Sequence, residues 1–126
     1  MATAEETLVS VLEAAAAVKT LTGDENRIYP QILPQKPDLP AITHTRIGGA
    51  PVSSFDGQDG LDNGLYQLDC WAETAKAARQ LADAVAAAID DAAALGSTLE
   101  SVVNDYEEDT RLYRVSMDFS FWHADS

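Results

Sequence analysis

Three aspartates at regular spacing are the first residues of this chain that could do chemistry. Asp56, Asp59 and Asp62 occupy every third position of an acidic, glycine-rich stretch, SSFDGQDGLDNG. Carboxylates can bind Ca²⁺, which takes about six to eight oxygen ligands. The stretch fails the EF-hand pattern, because Gln58 and Gly60 stand where the second and third ligands are required. We therefore expect a solvated connection without a metal site.

The residues needed for nucleophilic catalysis are scarce. Such catalysis requires a serine or cysteine beside an oriented histidine, and the chain has two histidines, His44 and His123, and one cysteine, Cys70. The sequence contains neither a G-x-S-x-G elbow nor a glycine-rich phosphate loop. We predict that both histidines are structural or surface residues, and that Cys70 is a small buried hydrophobe rather than a reactive thiolate.

The acidic run NDYEED, residues 104–109, offers carboxylates for acid–base chemistry. Catalytic carboxylates need a cleft that separates their pKa values, whereas charged residues at the tip of a hairpin are normally solvated. The sequence gives no sign of such a cleft. We predict a protein that is not an enzyme and has no cofactor, and keep a small enzyme or ligand-binding domain as an alternative.

The charge of the chain limits its partners. It carries 21 acidic and 8 basic residues, a formal net charge of -13, whereas affinity for nucleic acid comes from Lys and Arg that displace counterions from phosphates. The N-terminus lacks the basic region of a signal peptide, and no window approaches the roughly 20 apolar residues that span a bilayer. We expect a soluble protein that neither holds DNA nor enters a membrane.

Two helices are expected. Thr3 and Glu6 have the spacing of a capping box, and apolar residues then recur at helical spacing, which predicts a helix over residues 4–20. Thr74 is a plausible N-cap for a second helix that ends by Gly96. The apolar stripe of this second helix consists of Ala78, Leu81, Ala82, Val85 and Ile89.

Alternation and turn residues predict the strands. The proline-rich residues 27–40 should contain one short edge strand near Ile28 and Tyr29, followed by a loop. Residues 41–47 read as a strand that the sequence GGAP ends, and residues 52–64 as a glycine-rich loop.

The second half of the chain should supply three further strands. Residues 65–72 alternate, with Tyr66, Leu68 and Cys70 on one face, and either face could be the inner one. Two strands, 99–106 and 112–122, should form a hairpin across the sequence EEDT. We predict a single α+β domain over residues 1–126, with a largely antiparallel or mixed sheet of about four strands and two helices on one face.

Three segments carry a family resemblance. They are YPQILPQ followed by LPAITHTRIGG, the strand-to-helix passage QLDCWAETAKAARQLADAV and the closing strand YRVSMDFSFWH. In this order they resemble the tail-completion, or tail-terminator, proteins of long-tailed bacteriophages and phage-derived particles, over about residues 5–123. None is a catalytic signature, and the matching positions are expected to determine the fold: Tyr29, Pro30, Pro40, Trp71 and Phe119.

The resemblance implies a structural virion protein. It implies a homo-oligomer, typically a hexameric ring, on the end of the tail tube, which stops tube growth and provides the joint to the head. Its partners would be the tail tube protein and the head-completion or stopper protein of the neck, in a particle assembled in the bacterial cytoplasm. DNA would pass through the bore without specific binding. An alternative within the same particle is another neck or tube component, such as a head–tail adaptor or stopper.

The resemblance changes the expectation for the acidic, glycine-rich stretch. A segment so rich in glycine does not hold a shape alone, so a partner would have to order it. We expect an assembly-contact loop that projects into the bore or onto the tube-facing surface. In this loop Phe55 and Leu61 would make contacts, while Asp56, Asp59 and Asp62 would stay hydrated.

Overall fold

The computed structural model describes residues 4–22, 27–33, 38–52, 61–92 and 96–124. These residues form three helices and five strands. The elements are α1 (Ala4–Ala14), α2 (Ala16–Thr22), β1 (Ile28–Pro30), β2 (Ala41–Val52), β3 (Leu61–Ala72), α3 (Ala75–Asp90), β4 (Gly96–Glu107) and β5 (Leu112–Ala124). The predicted α+β class is confirmed. The sheet has five strands where about four were expected, at the five places where strand segments were predicted, and there is one more helix than expected. None of the described helices is long and apolar enough to cross a membrane.

The predicted first helix is divided in two at Ala15. The amide of Ala15 donates to the carbonyl of Leu12, three residues earlier, at 3.3 Å, whereas an α-helical amide donates to the carbonyl four residues earlier. Ala14–Ala17 are strong helix formers, so propensity does not explain the break. Both α1 and α2 pack against α3, so the two parts of the divided segment contact the same helix.

The second predicted helix, α3, is confirmed together with its cap. The backbone N–H of Ala77 donates to the Thr74 hydroxyl oxygen at 3.0 Å, which satisfies one of the amides left free at a helix start. The five residues of the predicted apolar stripe are buried. The helix ends at Asp90, whereas Gly96 is the first residue of β4 rather than the end of a helix.

The β2–β3 hairpin is longer than expected at its turn end. The sequence GGAP does not end β2, which continues to Val52, and β3 begins at Leu61. A glycine within a strand often marks a bulge or a site where another group approaches the backbone closely. This hairpin has one example of each. The register shifts between Arg46 and Gly48, and the Tyr66 ring lies so close to Gly64 that an added Cβ would sit 2.5 Å from a ring carbon.

The sheet has the order β1-β2-β3-β5-β4. β1 is parallel to β2, and the other neighbours are antiparallel, so the sheet is mixed. Glu107 pairs with Leu112, which places the β4–β5 turn at residues 108–111, one residue later than predicted. Arg111 closes this turn with a φ of 58°.

The helices cover one face of the sheet, here called the helix face. Its cross-strand rows are Ile42–Cys70–Val115 and His44–Leu68–Met117, and the first row is wholly buried. This settles which face of the 65–72 strand is inner: Tyr66, Leu68 and Cys70 belong to the core. The opposite side, here called the open face, has the rows Thr43–Asp69–Ser116 and Thr45–Gln67–Asp118.

Candidate assembly surface

The structure describes two of the five residues of the predicted assembly-contact loop. Phe55, Asp56 and Asp59 lie outside the described residues. Leu61 and Asp62 are strand residues rather than loop residues, because the backbone of β3 pairs at both positions with β2 and with β5. Val52 pairs with Leu61, so residues 53–60 connect the ends of two adjacent strands. Their contact role stays a prediction.

The residues considered for nucleophilic catalysis lie inside the fold where they are described. His44 is 5% exposed and lies on the helix face, where burial lowers its pKa although the charge of Glu5 acts in the opposite direction. Its Nδ1 atom is buried without a hydrogen-bond partner. Cys70 is buried, as predicted, and burial raises the pKa of its thiol. The side chain of His123 lies outside the description.

The carboxylates near the β4–β5 turn are exposed. Glu107, Glu108 and Asp109 line an open depression at the turn. The pKa of Asp105 is lowered, first by the Tyr106 backbone N–H and then by Arg114, both of which donate to its carboxylate. In the parts of the chain that the structure describes, no three His, Cys, Asp or Glu side chains converge as metal ligands.

Hydrogen bonds join the strands across the open face. The Asp69 carboxylate accepts from the Ser116 hydroxyl and, at 3.0 Å, from Nε2 of Gln67. The Nε1 of Trp71 donates to the Thr43 hydroxyl oxygen at 3.0 Å. These bonds link β2, β3 and β5 through side chains in addition to the backbone ladder.

The same arrangement continues to β4. Arg114 lies 5.2 Å from the centre of the Trp71 ring, and its Nη2 atom donates to Asp105 at 2.8 Å. The Ser101 hydroxyl donates to the Asp118 carboxylate at 3.0 Å. The open face therefore carries side-chain hydrogen bonds that link β2, β3, β5 and β4, although Thr43 and Asp69 are buried and the buried Nε atom of Arg114 has no hydrogen-bond partner among the described residues.

Exposed hydrophobic side chains lie at the two lateral edges of the sheet. On β4, Leu99, Val102, Val103 and Tyr106 are 42–57% exposed. At the opposite edge, Ile32 after β1 is 76% exposed and Ile47 in β2 is 45% exposed. Among the described residues these six are the exposed large hydrophobics, and the central strands β3 and β5 contribute none of them.

β4 is exposed because the helix layer does not reach it. α3 packs on β3 and β5, and a groove of about 330 Å³ separates its first turns from β4, with Ala75, Arg79 and Asn104 among its lining residues. In the described residues β4 pairs on one side only. A long, exposed, partly apolar edge strand promotes association with another chain, and proteins normally shield it. Its exposure makes β4 a candidate interaction surface.

This surface was missed in the sequence, although a signal was present. Val102 and Val103 are adjacent, and a strand with neighbouring apolar residues places one on each face. A strand covered by helices on one face should instead alternate, as β5 does. The lack of alternation in β4 indicates a strand with apolar residues on two uncovered faces.

Comparison with known proteins agrees with the family resemblance. The family model of tail completion protein gp17 matches residues 6–124. No curated protein matches the chain. Among solved structures, a chain in the virion of a native gene transfer agent particle superimposes with a TM-score of 0.72 and 16% identity, over 91% of this chain and 90% of that one. At this identity the likeness shows a shared fold.

The order of elements, the exposed edges and the family match lead to the same conclusion. The match covers nearly the whole chain, from the start of α1 to the end of β5. The resemblance seen in the sequence is thereby confirmed, and the chain belongs to the tail completion protein gp17 family, whose members are structural proteins of the virion tail.

Proposed function

We propose that this chain forms a ring on the end of the tail tube, where it stops tube growth and provides the joint to the head. The observation that carries the proposal is the division of the exposed hydrophobic residues between opposite edges of one sheet. Patches on opposite edges of one sheet are buried against each other in a head-to-tail contact between copies, and a series of such contacts forms a ring when the rotation closes.

The open face fits the wall of a bore through which DNA passes. Asp105 and Asp118 place carboxylates on it, and hydrogen bonds from Arg114 and Ser101 hold them in position. With a formal charge of -13 per copy, the ring would repel phosphates rather than retain them. A ring with a basic lumen and its acidic side chains on the outer rim would contradict this arrangement.

Residues 53–60 of the assembly-contact loop follow Val52 and precede Leu61, which pair with each other at one end of β2 and β3. We expect this loop to meet the tube protein or to line the bore, with Phe55 and Leu61 in contact while Asp56, Asp59 and Asp62 stay hydrated. The elements that carry it support this position, because β2 and β3 hold the two ends of residues 53–60 together at a fixed place on the subunit.

A cryo-electron microscopy map of whole particles tests the position of the chain. We expect a closed ring of this chain between the last tube layer and the neck, with residues 53–60 against the tube or in the bore. Density for the chain at the portal instead would indicate an adaptor or stopper. A loop that stands free on the outer rim would refute the proposed contact role.

A further inference from the structure

We propose that β4 of one copy pairs with the outer edge of β2 in the next copy, so that the sheet continues from subunit to subunit. The inference rests on the proposed ring and specifies which edges meet. β1 covers β2 only at Ile42–His44. In the described residues, the outer edge of β2 is therefore unpaired from Thr45 to Val52. At the opposite side of the sheet, the outer edge of β4 is unpaired along its whole described length.

The lengths of the two edges are compatible. β4 has 12 residues, and the open part of β2 is longer than a strand of average length, about five to six residues. β1 is a poor alternative partner, because it has three residues and its last residue, Pro30, has no backbone N–H. The open part of β2 contains Pro51 and a register shift between Arg46 and Gly48, but it still offers more backbone donors and acceptors than β1 does.

The strand directions allow an antiparallel pair. β2 is antiparallel to β3, β3 to β5 and β5 to β4, so β4 and β2 run in opposite directions within one subunit. If each copy continues the sheet in the same orientation, β4 lies antiparallel to β2 of its neighbour. This pairing is slightly more stable per residue than a parallel one, and it keeps the helices of every copy on the same side.

Charge distinguishes this contact from the pairing of two β4 strands. β4 carries Glu100, Asp105 and Glu107 and no basic residue. Residues 27–33 and 41–52, at the opposite edge, carry Arg27 and Arg46 and no acidic residue, in a chain with 21 acids. Two β4 strands would bring like charges together, whereas β4 beside β2 brings opposite charges together.

The side chains at the two edges also match in character. Val103 on the open face and Val102 on the helix face of β4 are 57% and 45% exposed, and Ile47 of β2 is 45% exposed. The guanidinium of Arg46 lies 5.7 Å from the centre of the Tyr66 ring, which positions a cation beside the open edge. The contact would bury apolar residues from both edges. It would also bring the cation of Arg46 to the same edge contact as the β4 acids, with Arg46 on the helix face and Asp105 on the open face.

Disulfide trapping between two variants, each with one added cysteine, tests the contact. The protein with Thr45→Cys on β2 is mixed, in three separate experiments, with a protein that has one new cysteine on β4. The β4 substitutions are Ser101→Cys, Val103→Cys and Asp105→Cys, and all four positions lie on the open face. The three β4 positions sample different registers, since a disulfide requires Cα atoms about 4.4–6.8 Å apart. The native Cys70 is 0% exposed and should not react.

Oxidation is carried out on the purified protein and on particles assembled with the mixture. We expect a hetero-disulfide with Thr45→Cys for at least one β4 position, at a yield well above that of the control, because only paired strands bring the Cα atoms within disulfide range. The control is Gln80→Cys, which is exposed on α3 away from both edges. Dominant β4–β4 homodimers, or particles that contain a ring without any β2–β4 disulfide, would overturn the inference.

Two results separate this inference from the proposed function. A ring seen by native mass spectrometry or in particles, but without the trapped pair, refutes the edge contact and leaves the ring standing. The trapped pair in open chains, in a protein that forms no ring at all in solution or in particles, supports the edge contact and refutes the ring.

Discussion

At the scale of single residues, two positions singled out by the family resemblance have clear packing roles. Trp71 reaches across to Thr43 through its Nε1 and supports the Arg114 guanidinium on its ring. Phe119 lies in the core with its ring 5.7 Å from that of Phe121. These contacts hold the sheet together, which agrees with the expectation that Trp71 and Phe119 determine the fold.

His44 should give the stability of the fold a dependence on pH. Burial lowers its pKa in the folded state below the ordinary value of about 6.5 that applies in the unfolded chain. The unfolded chain therefore binds a proton more readily, so stability is present above pH 6.5 and is lost as the pH falls from about 6.5 towards the lowered pKa. Urea unfolding of the wild type and of His44→Leu at pH 7.5 and 5.5 measures this contribution.

We expect His44→Leu to lose less free energy of unfolding than the wild type between the two pH values. Glu5→Gln is the informative second variant, because the Glu5 charge raises the pKa of His44. Its removal should lower the pKa of His44 further. The free energy of unfolding of Glu5→Gln, which keeps His44, should therefore fall more steeply with decreasing pH than that of the wild type. Equal losses in the wild type and His44→Leu would show that the buried imidazole has no part in acid sensitivity.

At the scale of elements, the cap of α3 can be tested alone. Thr74→Ala removes the oxygen that accepts from the Ala77 amide, and we expect a loss of about 1 kcal/mol in the free energy of unfolding. Thr20→Ala is a matched control, because this exposed hydroxyl only donates back to the Ala16 carbonyl within α2. Urea titration should find the control within about 0.5 kcal/mol of the wild type, and equal losses would contradict the capping role.

The elements with strong periodicity could be predicted from the sequence, and those shaped by packing could not. α3 and β5 bury the residues that their patterns indicate. The glycines of GGAP and Gly64 suggested turns, but a neighbouring strand overrides local preference when it supplies backbone partners. The break at Ala15 occurs among good helix formers, where no local signal exists.

The candidate surface was harder to predict than the fold. The acidic, glycine-rich stretch attracted attention because its residue types are suggestive, whereas the β4 edge combines residues that are ordinary one by one. Its importance depends on the position of β4 at the end of the sheet and beyond the reach of α3. A single sequence does not give strand order, so this edge could be recognised only in the structure.

At the scale of the whole molecule, two features together indicate a subunit built for assembly. The net charge of -13 makes copies repel one another, but this repulsion is screened beyond about 8–10 Å at physiological ionic strength. The apolar residues on β4 and on the β1–β2 side act at contact distance. Association should therefore be specific to the edges.

The length of the tails in particles made without this protein tests the central claim most directly. Electron microscopy of a deletion strain, with the wild-type gene restored as the control, gives the distribution of tail lengths. If the chain ends tube growth, the deletion should leave tubes of irregular, excessive length and heads without tails, and restoration should return one narrow length. Tails of normal, uniform length in the deletion strain would contradict a terminator role.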